Sequence, residues 1–420
     1  MTARLPRTPM GHGAHRVVGA TVLDGTLGDP IEDGEVEVVG GRISYVGPRR
    51  TRGVAGALVI DARGGFVMPG FVDAHVHLVM STEVSVEQQR PWFPEQGVVA
   101  ALGNLRATVE AGVTTARDLS GLTPGYRASV ASGDVVGPRL HLAIAMLSPT
   151  GGHADPVLAN GSLPLWAERA TTPGWAVVDT ANEVIKTVRV LARTGADVIK
   201  VCTSGGISSP HDSPADGGIP REHVELIVAE MRARQGQPVT AHAQNDAGVR
   251  AAVLGGASSI EHGYDMSNAT IELMRERGTT LVPTLSTLLR DSPPGADPAA
   301  RAALRARGIE SIGSAIGAGV GVAMGTDAGI HPHGRNLTEL GHLVRAGLSP
   351  LQAVHAGTLA GARLLRLDHE LGSLREGALA DLVITAVDPL ADIDVLADPA
   401  TIRMVMQGGR VVKDLDALAG

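Results

Sequence analysis

Short apolar runs that end in a histidine, a lysine or an aspartate recur along the middle of this chain. The residues that end or directly follow these runs are His75, His77, Lys200, His242, His262 and Asp327. When parallel strands close into a barrel, their carboxyl ends lie at one face, so side chains from separate strands converge on one point. The pattern therefore predicts a cluster of metal-binding side chains, an arrangement with which hydrolases hold a metal ion and activate water.

Strand patterns and helix patterns alternate through residues 71–365. The candidate strands are 71–75, 113–118, 139–145, 197–201, 238–242, 259–262, 279–284 and 321–326. The candidate helices are 98–111, 181–194, 221–234, 247–254, 268–277 and 299–318, with cap residues at 179–180 and 267–268. This alternation predicts an α/β fold, a (β/α)8 TIM barrel. A doubly wound open sheet is the alternative, but only a closed barrel brings ligands from five separate strands together.

Both ends of the chain are rich in β-branched runs. Residues 16–67 carry three such runs divided by Gly and Asp turns, and residues 380–412 carry further runs around a turn. Two similar ends around a different middle predict one small β-sandwich domain built from both termini. We therefore divide the chain into 1–70 and 366–420, which form the small domain, and 71–365, which forms the barrel.

Charge and composition restrict the classes of partner. The 36 Lys and Arg against 44 Asp and Glu leave a formal charge of −8, which does not favour nucleic acid or an anionic membrane. Cys202 is the single cysteine, so no internal disulfide can form, which is compatible with a reducing compartment. No apolar stretch reaches the roughly 18 residues that a membrane span needs. We expect a cytoplasmic protein that acts on a small molecule.

The spacing of the candidate ligands carries its own chemistry. His75 and His77 lie two apart on a strand, so both imidazoles point to one face and can share a divalent ion. Asp327, between small neighbours, can bind a metal and take a proton from the attacking water. Taken singly, each histidine could be an ordinary residue of a strand end, and Asp327 could cap the following turn. Their joint placement favours the ligand interpretation.

These residues, in this order, resemble the amidohydrolase superfamily of metal-dependent hydrolases. The resemblance extends over nearly the whole chain and includes the motifs at 73–77 and 372–383. It implies a binuclear site with one ion on His75, His77 and Asp327, the other on His242 and His262, and a carboxylated Lys200 and a hydroxide between them. We expect Zn2+, with Mn2+, Co2+ or Fe2+ as alternatives, carbon dioxide as a carbamate on Lys200, and a homo-oligomer.

Within that superfamily the chain looks most like the imidazolonepropionase-like and Xaa-Pro or Xaa-Arg dipeptidase (prolidase-like) branch. The supporting motifs are 114–119, 149–153, 203–210 and 260–263. The chain departs from the branch at Gln244, where relatives often carry a histidine, and in the loop 209–213. Both departures bear on substrate identity. The residues expected to contact substrate are His153, Gln244, Tyr264 and His211.

The predicted reaction is hydrolysis of an amide-type C–N bond in a dipeptide, an N-acyl amino acid or a cyclic amide. Asp327 would take the proton of the attacking water and pass it to the leaving nitrogen. The same site could hydrolyse an ester, lactone, carbamate or organophosphate. A mononuclear deaminase does without a carboxylated lysine, so Lys200 counts against that class. A non-catalytic scaffold would have lost ligands, and here all of them are present.

Overall fold

A computed structural model of the protein describes residues 13–82, 88, 92–164, 167, 173–207, 212–234, 236–291 and 297–418. Within those residues the two ends of the chain come together in one sheet, and the middle forms parallel strands linked by helices. None of the described helices is both long enough and apolar enough to cross a membrane.

The sheet built from both ends has eight strands. They are β1 (Ala14–Val22), β2 (Ile31–Val39), β3 (Arg42–Pro48), β4 (Leu58–Asp61), β5 (Phe66–Pro69), and later in the chain β15 (Leu382–Thr385), β16 (Ile402–Gln407) and β17 (Arg410–Asp414). The order is β17-β16-β15-β5-β1-β2-β3, with β4 also paired to β1. The predicted union of the two termini is present. A sandwich is not confirmed, because the described residues form one sheet here.

Nine strands lie between those ends. They are β6 (Phe71–Val76), β7 (Val113–Asp118), β8 (Arg139–Leu142), β9 (Met146–Ser148), β10 (Trp175–Val177), β11 (Ile199–Cys202), β12 (Val239–Ala243), β13 (Ser259–His262) and β14 (Thr280–Val282). All their pairings are parallel, in a sheet of order β6-β7-β8 and a sheet of order β10-β9-β11-β12-β13-β14. Parallel strands covered by helices give a TIM-barrel-like α/β fold.

The eighth predicted strand, 321–326, makes one isolated β-bridge, between Val322 and Leu281, without forming a regular strand in the described chain. It nevertheless lies between β14 and β6: Leu281 N–H donates to Gly321 O at 2.8 Å, and Ala74 N–H donates to Met324 O at 2.9 Å. The third strand is also shorter than predicted, because Ile144 adopts a left-handed φ of 72° just beyond β8.

The six predicted helices begin and end close to their predicted bounds, and the described chain also contains five α-helices that the sequence pattern did not predict. They are α1 (Pro94–Glu110), α2 (Pro124–Ser132), α3 (Ala181–Thr194), α4 (Arg221–Arg232), α5 (Asp246–Gly255), α6 (Asn268–Arg277), α7 (Leu285–Leu289), α8 (Pro298–Gly317), α9 (Thr338–Arg345), α10 (Pro350–His355) and α11 (Gly361–Leu364). Thr180 caps α3 in a capping box with Glu183, and Ser267 caps α6, so both predicted caps are confirmed. The pattern at 98–111 missed the first turn of α1, which begins at a proline.

A buried ion pair joins the end sheet to the parallel strands. Arg139, on β8, donates to the carboxylate of Asp381, and both side chains are only 3% exposed. The other Asp381 carboxylate oxygen accepts from Gly408 N–H at 2.7 Å. Gln407, on β16, donates to Thr114 O at 2.9 Å. Polar contacts therefore fix how the sheet built from both ends packs against the parallel strands.

Arg139→Met should destabilise the protein by about 3–5 kcal/mol, because it leaves the Asp381 carboxylate buried without its cation. The free energy of unfolding from urea denaturation measures this loss. Arg106→Met is the matched control, since the Arg106 side chain is 62% exposed and its pair with Glu110 is at the surface. Equal stability of the two variants would show that the ion pair of Arg139 and Asp381 does not hold the end sheet against the parallel strands.

Candidate metal centre

Three of the predicted ligands come together at the carboxyl ends of the parallel strands. His75 lies near the end of β6, His77 follows it, and Asp327 lies beyond the 321–326 segment. Asp327 Oδ1 is 3.4 Å from His75 Nε2 and 3.2 Å from His77 Nε2. One ligand atom from each of the three residues lies within 4.8 Å of those of the other two. Such a spacing suits a single divalent ion.

Two further histidines adjoin that group. His262 ends β13, and its ring centroid is 5.2 Å from that of His75. His242 lies on the neighbouring strand β12, and its ring is 4.5 Å from that of His262. The four rings therefore form a continuous buried cluster, as the strand-end pattern predicted.

Lys200 lies on β11 and is 1% exposed. Within the described part of the chain, its Nζ has no hydrogen-bond partner, which is costly for a buried amine. Burial lowers the pKa of this amine, and its charge in turn contributes, after burial, to the lowered pKa values of His75 and His242. Lys200 therefore stands at the histidine cluster with an amine that burial drives toward the neutral form.

Hydrogen bonds fix which ring nitrogen of each histidine faces the cluster. The Nδ1 partners are Glu261 Oε2 at 2.8 Å for His75, Ser120 Oγ at 2.8 Å for His77, and Thr284 Oγ1 at 2.7 Å for His262. These bonds leave Nε2 of the three rings for an ion. His242 has the opposite arrangement, since its Nε2 donates to Gly205 O at 3.1 Å and leaves Nδ1.

The protonation states suit cation binding. Burial lowers the pKa of His75 to about 4 and holds those of His242 and His262 well below the usual value, so these rings are neutral near pH 7. Burial acts to raise the pKa of Asp327, but the imidazoles of His75 and His77 outweigh it, and the pKa lies below its usual value. Neutral imidazoles beside an ionised carboxylate are the forms that bind metals.

Two of the candidate ligands have strained backbones. His262 has φ 78° and Asp327 has φ 58°, in the left-handed region that non-glycine residues rarely occupy. Thr284, which bonds to His262, has φ 51°. Such strain costs about 1–3 kcal/mol per residue and concentrates at functional sites.

The residues expected to contact substrate lie in different surroundings. The His153 ring stacks on that of His242, with centroids 4.0 Å apart. Gln244 is 4% exposed, and within the described residues its side-chain oxygen has no hydrogen-bond partner. The hydroxyl of Tyr264 is fully buried and donates to Thr284 O at 3.1 Å. His211 lies outside the described residues.

The partners of the histidine Nδ1 atoms were missed from the sequence. They are Glu261, Ser120 and Thr284, and no pattern in the sequence singles them out. The last two follow the ends of β7 and β14 by two residues, so a search for polar residues just beyond strand ends could have found them. Their pairing with particular histidines needs the fold.

The donor set fits divalent metal ions. Neutral imidazoles and a carboxylate suit Zn2+ and similar ions, and each of three rings carries the second hydrogen bond that metal-binding histidines usually make. The buried, unpartnered amine of Lys200 fits a lysine that becomes an anionic ligand. Glu261, which touches His75, is itself ionised: burial raises its pKa, and the charges of Arg117 and Lys200 lower it well below the usual value.

Comparison with known proteins identifies the family of the chain. The model of the amidohydrolase family matches residues 66–412. Ochratoxinase of Aspergillus niger is 33% identical over 368 residues, 83% of this chain and 75% of that protein. Imidazolonepropionase of Haloarcula marismortui is 27% identical, over 96% of this chain and 95% of its own. A prolidase crystal structure complexed with N-methylphosphonate-L-proline has a TM-score of 0.87 at 32% identity, over 96% of this chain and 100% of its own.

The chain therefore belongs to the amidohydrolase family. It is a metal-dependent amidohydrolase that acts on small molecules, and its relatives fit the prolidase-like branch of the superfamily. This membership confirms the resemblance that the motifs indicated.

Ser120→Ala should weaken metal binding about 10- to 100-fold, because it removes the hydrogen bond that orients His77. Competition of the metal-loaded protein with a chelator measures the affinity. Ser132→Ala is the matched control, since Ser132 is exposed on α2 and bonds only to Ser129 O and Asp134 among the described contacts. Unchanged affinity in Ser120→Ala would contradict a ligand role for His77.

Proposed function

We propose that the protein hydrolyses an amide-type C–N bond with the aid of two divalent metal ions. The observation that carries this proposal is the buried convergence of neutral histidines, the ionised Asp327 and the unpartnered amine of Lys200. The names of its relatives, ochratoxinase, prolidase and imidazolonepropionase, support amide hydrolysis.

The proposed ligand assignment is the one that the family resemblance implies, and the His75, His77 and Asp327 cluster supports its first part. One ion is held by His75, His77 and Asp327, whose ligand atoms lie within 4.8 Å of one another. The second is held by His242 and His262. A carboxylated Lys200 would supply an anionic ligand to this site, formed when its neutral amine bonds to the carbon of carbon dioxide and releases a proton. Zn2+ is the first choice, and Mn2+, Co2+ or Fe2+ are alternatives.

When bound, the ions lower the pKa of water from 15.7 to about 7 and polarise the substrate carbonyl. Asp327 then accepts the proton of the attacking water at its carboxylate and delivers it to the nitrogen as the C–N bond breaks, which yields an acid and an amine. The unpartnered oxygen of Gln244 accepts a substrate N–H, and His153 orients the carbonyl. For Tyr264 and His211 we retain substrate contact as part of the proposal.

We also propose that the parallel strands close as a (β/α)8 barrel over residues 71–365, with 1–70 and 366–420 forming a small β-sandwich. Hydrogen bonds across the two gaps between the sheets support closure. Besides those of the 321–326 segment, Asp197 N–H, before β11, donates to Leu142 O, on β8, at 2.7 Å.

Chelation should abolish turnover, and Zn2+ or Mn2+ should restore it.

Metal analysis of the purified protein should find two ions per chain. Lys200→Met should hold fewer, because the anionic carbamate ligand is lost. Lys186→Met, on the exposed face of α3, is the control and should keep both ions. Full metal content in Lys200→Met would exclude the carbamate.

Asp327→Asn should lower kcat about 10²- to 10⁴-fold, because the amide cannot accept the proton. The substrates are dipeptides and N-acyl amino acids, and the circular dichroism spectrum should remain that of the parent protein. Asp134→Asn, an exposed aspartate on the same chain, should keep normal turnover. Near-normal kcat in Asp327→Asn would rule out its proton-transfer role.

A further inference from the structure

An arginine stands beside the candidate metal centre on the loop that follows β14. Arg290 comes directly after α7 and is partly buried. Its Nη1 donates to Ile330 O at 2.9 Å. Since Ile330 is only three residues beyond Asp327, this bond places the guanidinium alongside the loop that carries the candidate proton acceptor.

The charge of Arg290 has no acidic partner. Within the described part of the chain, no carboxylate oxygen lies within the 4.0 Å that defines an ion pair with Arg290. Arg117 pairs with Glu261 and Arg139 pairs with Asp381. The buried Arg301, by contrast, donates only to backbone carbonyls among the described contacts. Buried charges in proteins are normally paired, so a partly buried guanidinium with one carbonyl contact retains capacity to bind an anion.

Two other arginines hold the segment in place. Arg301 donates to Leu288 O at 3.0 Å, and Arg305 donates to the backbone carbonyl of Arg290 itself. These bonds satisfy the carbonyls at the carboxyl end of α7, a position where cations are favourable. Through these backbone bonds the two arginines fix the position from which the Arg290 side chain extends.

The electrostatic environment agrees with this placement. Burial lowers the pKa of Arg290, and the negative charge of Asp327 acts in the opposite direction. The guanidinium stays charged near neutral pH, because arginine side chains are effectively always protonated in proteins. A fixed positive charge therefore lies close to the candidate site without belonging to its metal-binding residues.

We propose that Arg290 binds a carboxylate of the substrate and so selects anionic amides, such as N-acyl amino acids and dipeptides with a free carboxyl terminus. The planar guanidinium matches a carboxylate with paired hydrogen bonds. Neutral cyclic amides, lactones and carbamates lack this group and are poor substrates. This inference rests on the proposed amide hydrolysis at the same site.

The experiment compares substrates that differ only in charge. Metal-loaded protein is assayed with a panel of N-acetyl amino acids and Xaa-Pro dipeptides, each beside its carboxyl-terminal amide. The parent protein should prefer the carboxylate member. Arg290→Met should lose about 10- to 100-fold in kcat/KM on the carboxylate members, mostly through KM, and change little on the amides. Arg290→Lys should recover part of the loss.

Arg335→Met is the matched control, since Arg335 is an exposed arginine of the loop after Asp327 and donates to Ala397 O. It should keep the preference of the parent. An equal loss on both members in Arg290→Met would mean that Arg290 only ties α7 to Ile330, and would overturn the inference. The inference would also be overturned if the parent protein did not prefer the carboxylate substrate to its amide.

Failure of the proposed function is recognised separately. If no amide is hydrolysed by the metal-loaded protein, the proposed reaction is wrong, and calorimetric binding of the same pairs still decides the role of Arg290. Tighter binding of the N-acetyl amino acids than of their amides, abolished in Arg290→Met, would support carboxylate recognition. Equal binding of both members by the parent would overturn it.

Discussion

The candidate site depends on one carboxylate buried among the parallel strands. Glu261 is fully buried and accepts from Arg117 Nη2 at 2.8 Å and from Ser259 Oγ at 2.9 Å, while Thr240 also donates to it. Its other oxygen is 2.8 Å from His75 Nδ1. The charge of Arg117 keeps Glu261 ionised, and the ionised carboxylate sets the ring of His75. The core ion pair and the metal-binding geometry are thus one network.

Two other histidines of the cluster are also held by a hydrogen bond to Nδ1, but from an uncharged hydroxyl group. Ser120 orients His77, and Thr284 orients His262 from a left-handed backbone conformation. Each of these two partners follows the strand that pairs directly with the strand of the histidine it holds. Because the rings are buried, they have little freedom to turn toward solvent, and the strained strand ends are held by the packing around them.

Neutral and negatively charged side chains make up the candidate metal centre, and a positively charged one lies on a nearby loop. His75, His242 and His262 are neutral, and Asp327 is ionised. Arg290 adds a positive charge without an acidic partner in the described residues. A metal-dependent hydrolase needs neutral and anionic ligands for its ions, and a separate cation can then hold an anionic part of the substrate. The carboxyl-end loop after β14 supplies this cation, while the strands supply the ligands.

The sequence by itself determined which residue types end the strands, the alternation of strand and helix, and local helix signals such as the Thr180 cap. These follow from short-range periodicity and from hydrogen bonds between residues three or four positions apart. Only the tertiary structure decided that 321–326 bridges two sheets, that Ser120 holds His77, and that Arg290 stands by Asp327. Such contacts join residues tens or hundreds of positions apart, so the register and packing of the folded chain create them.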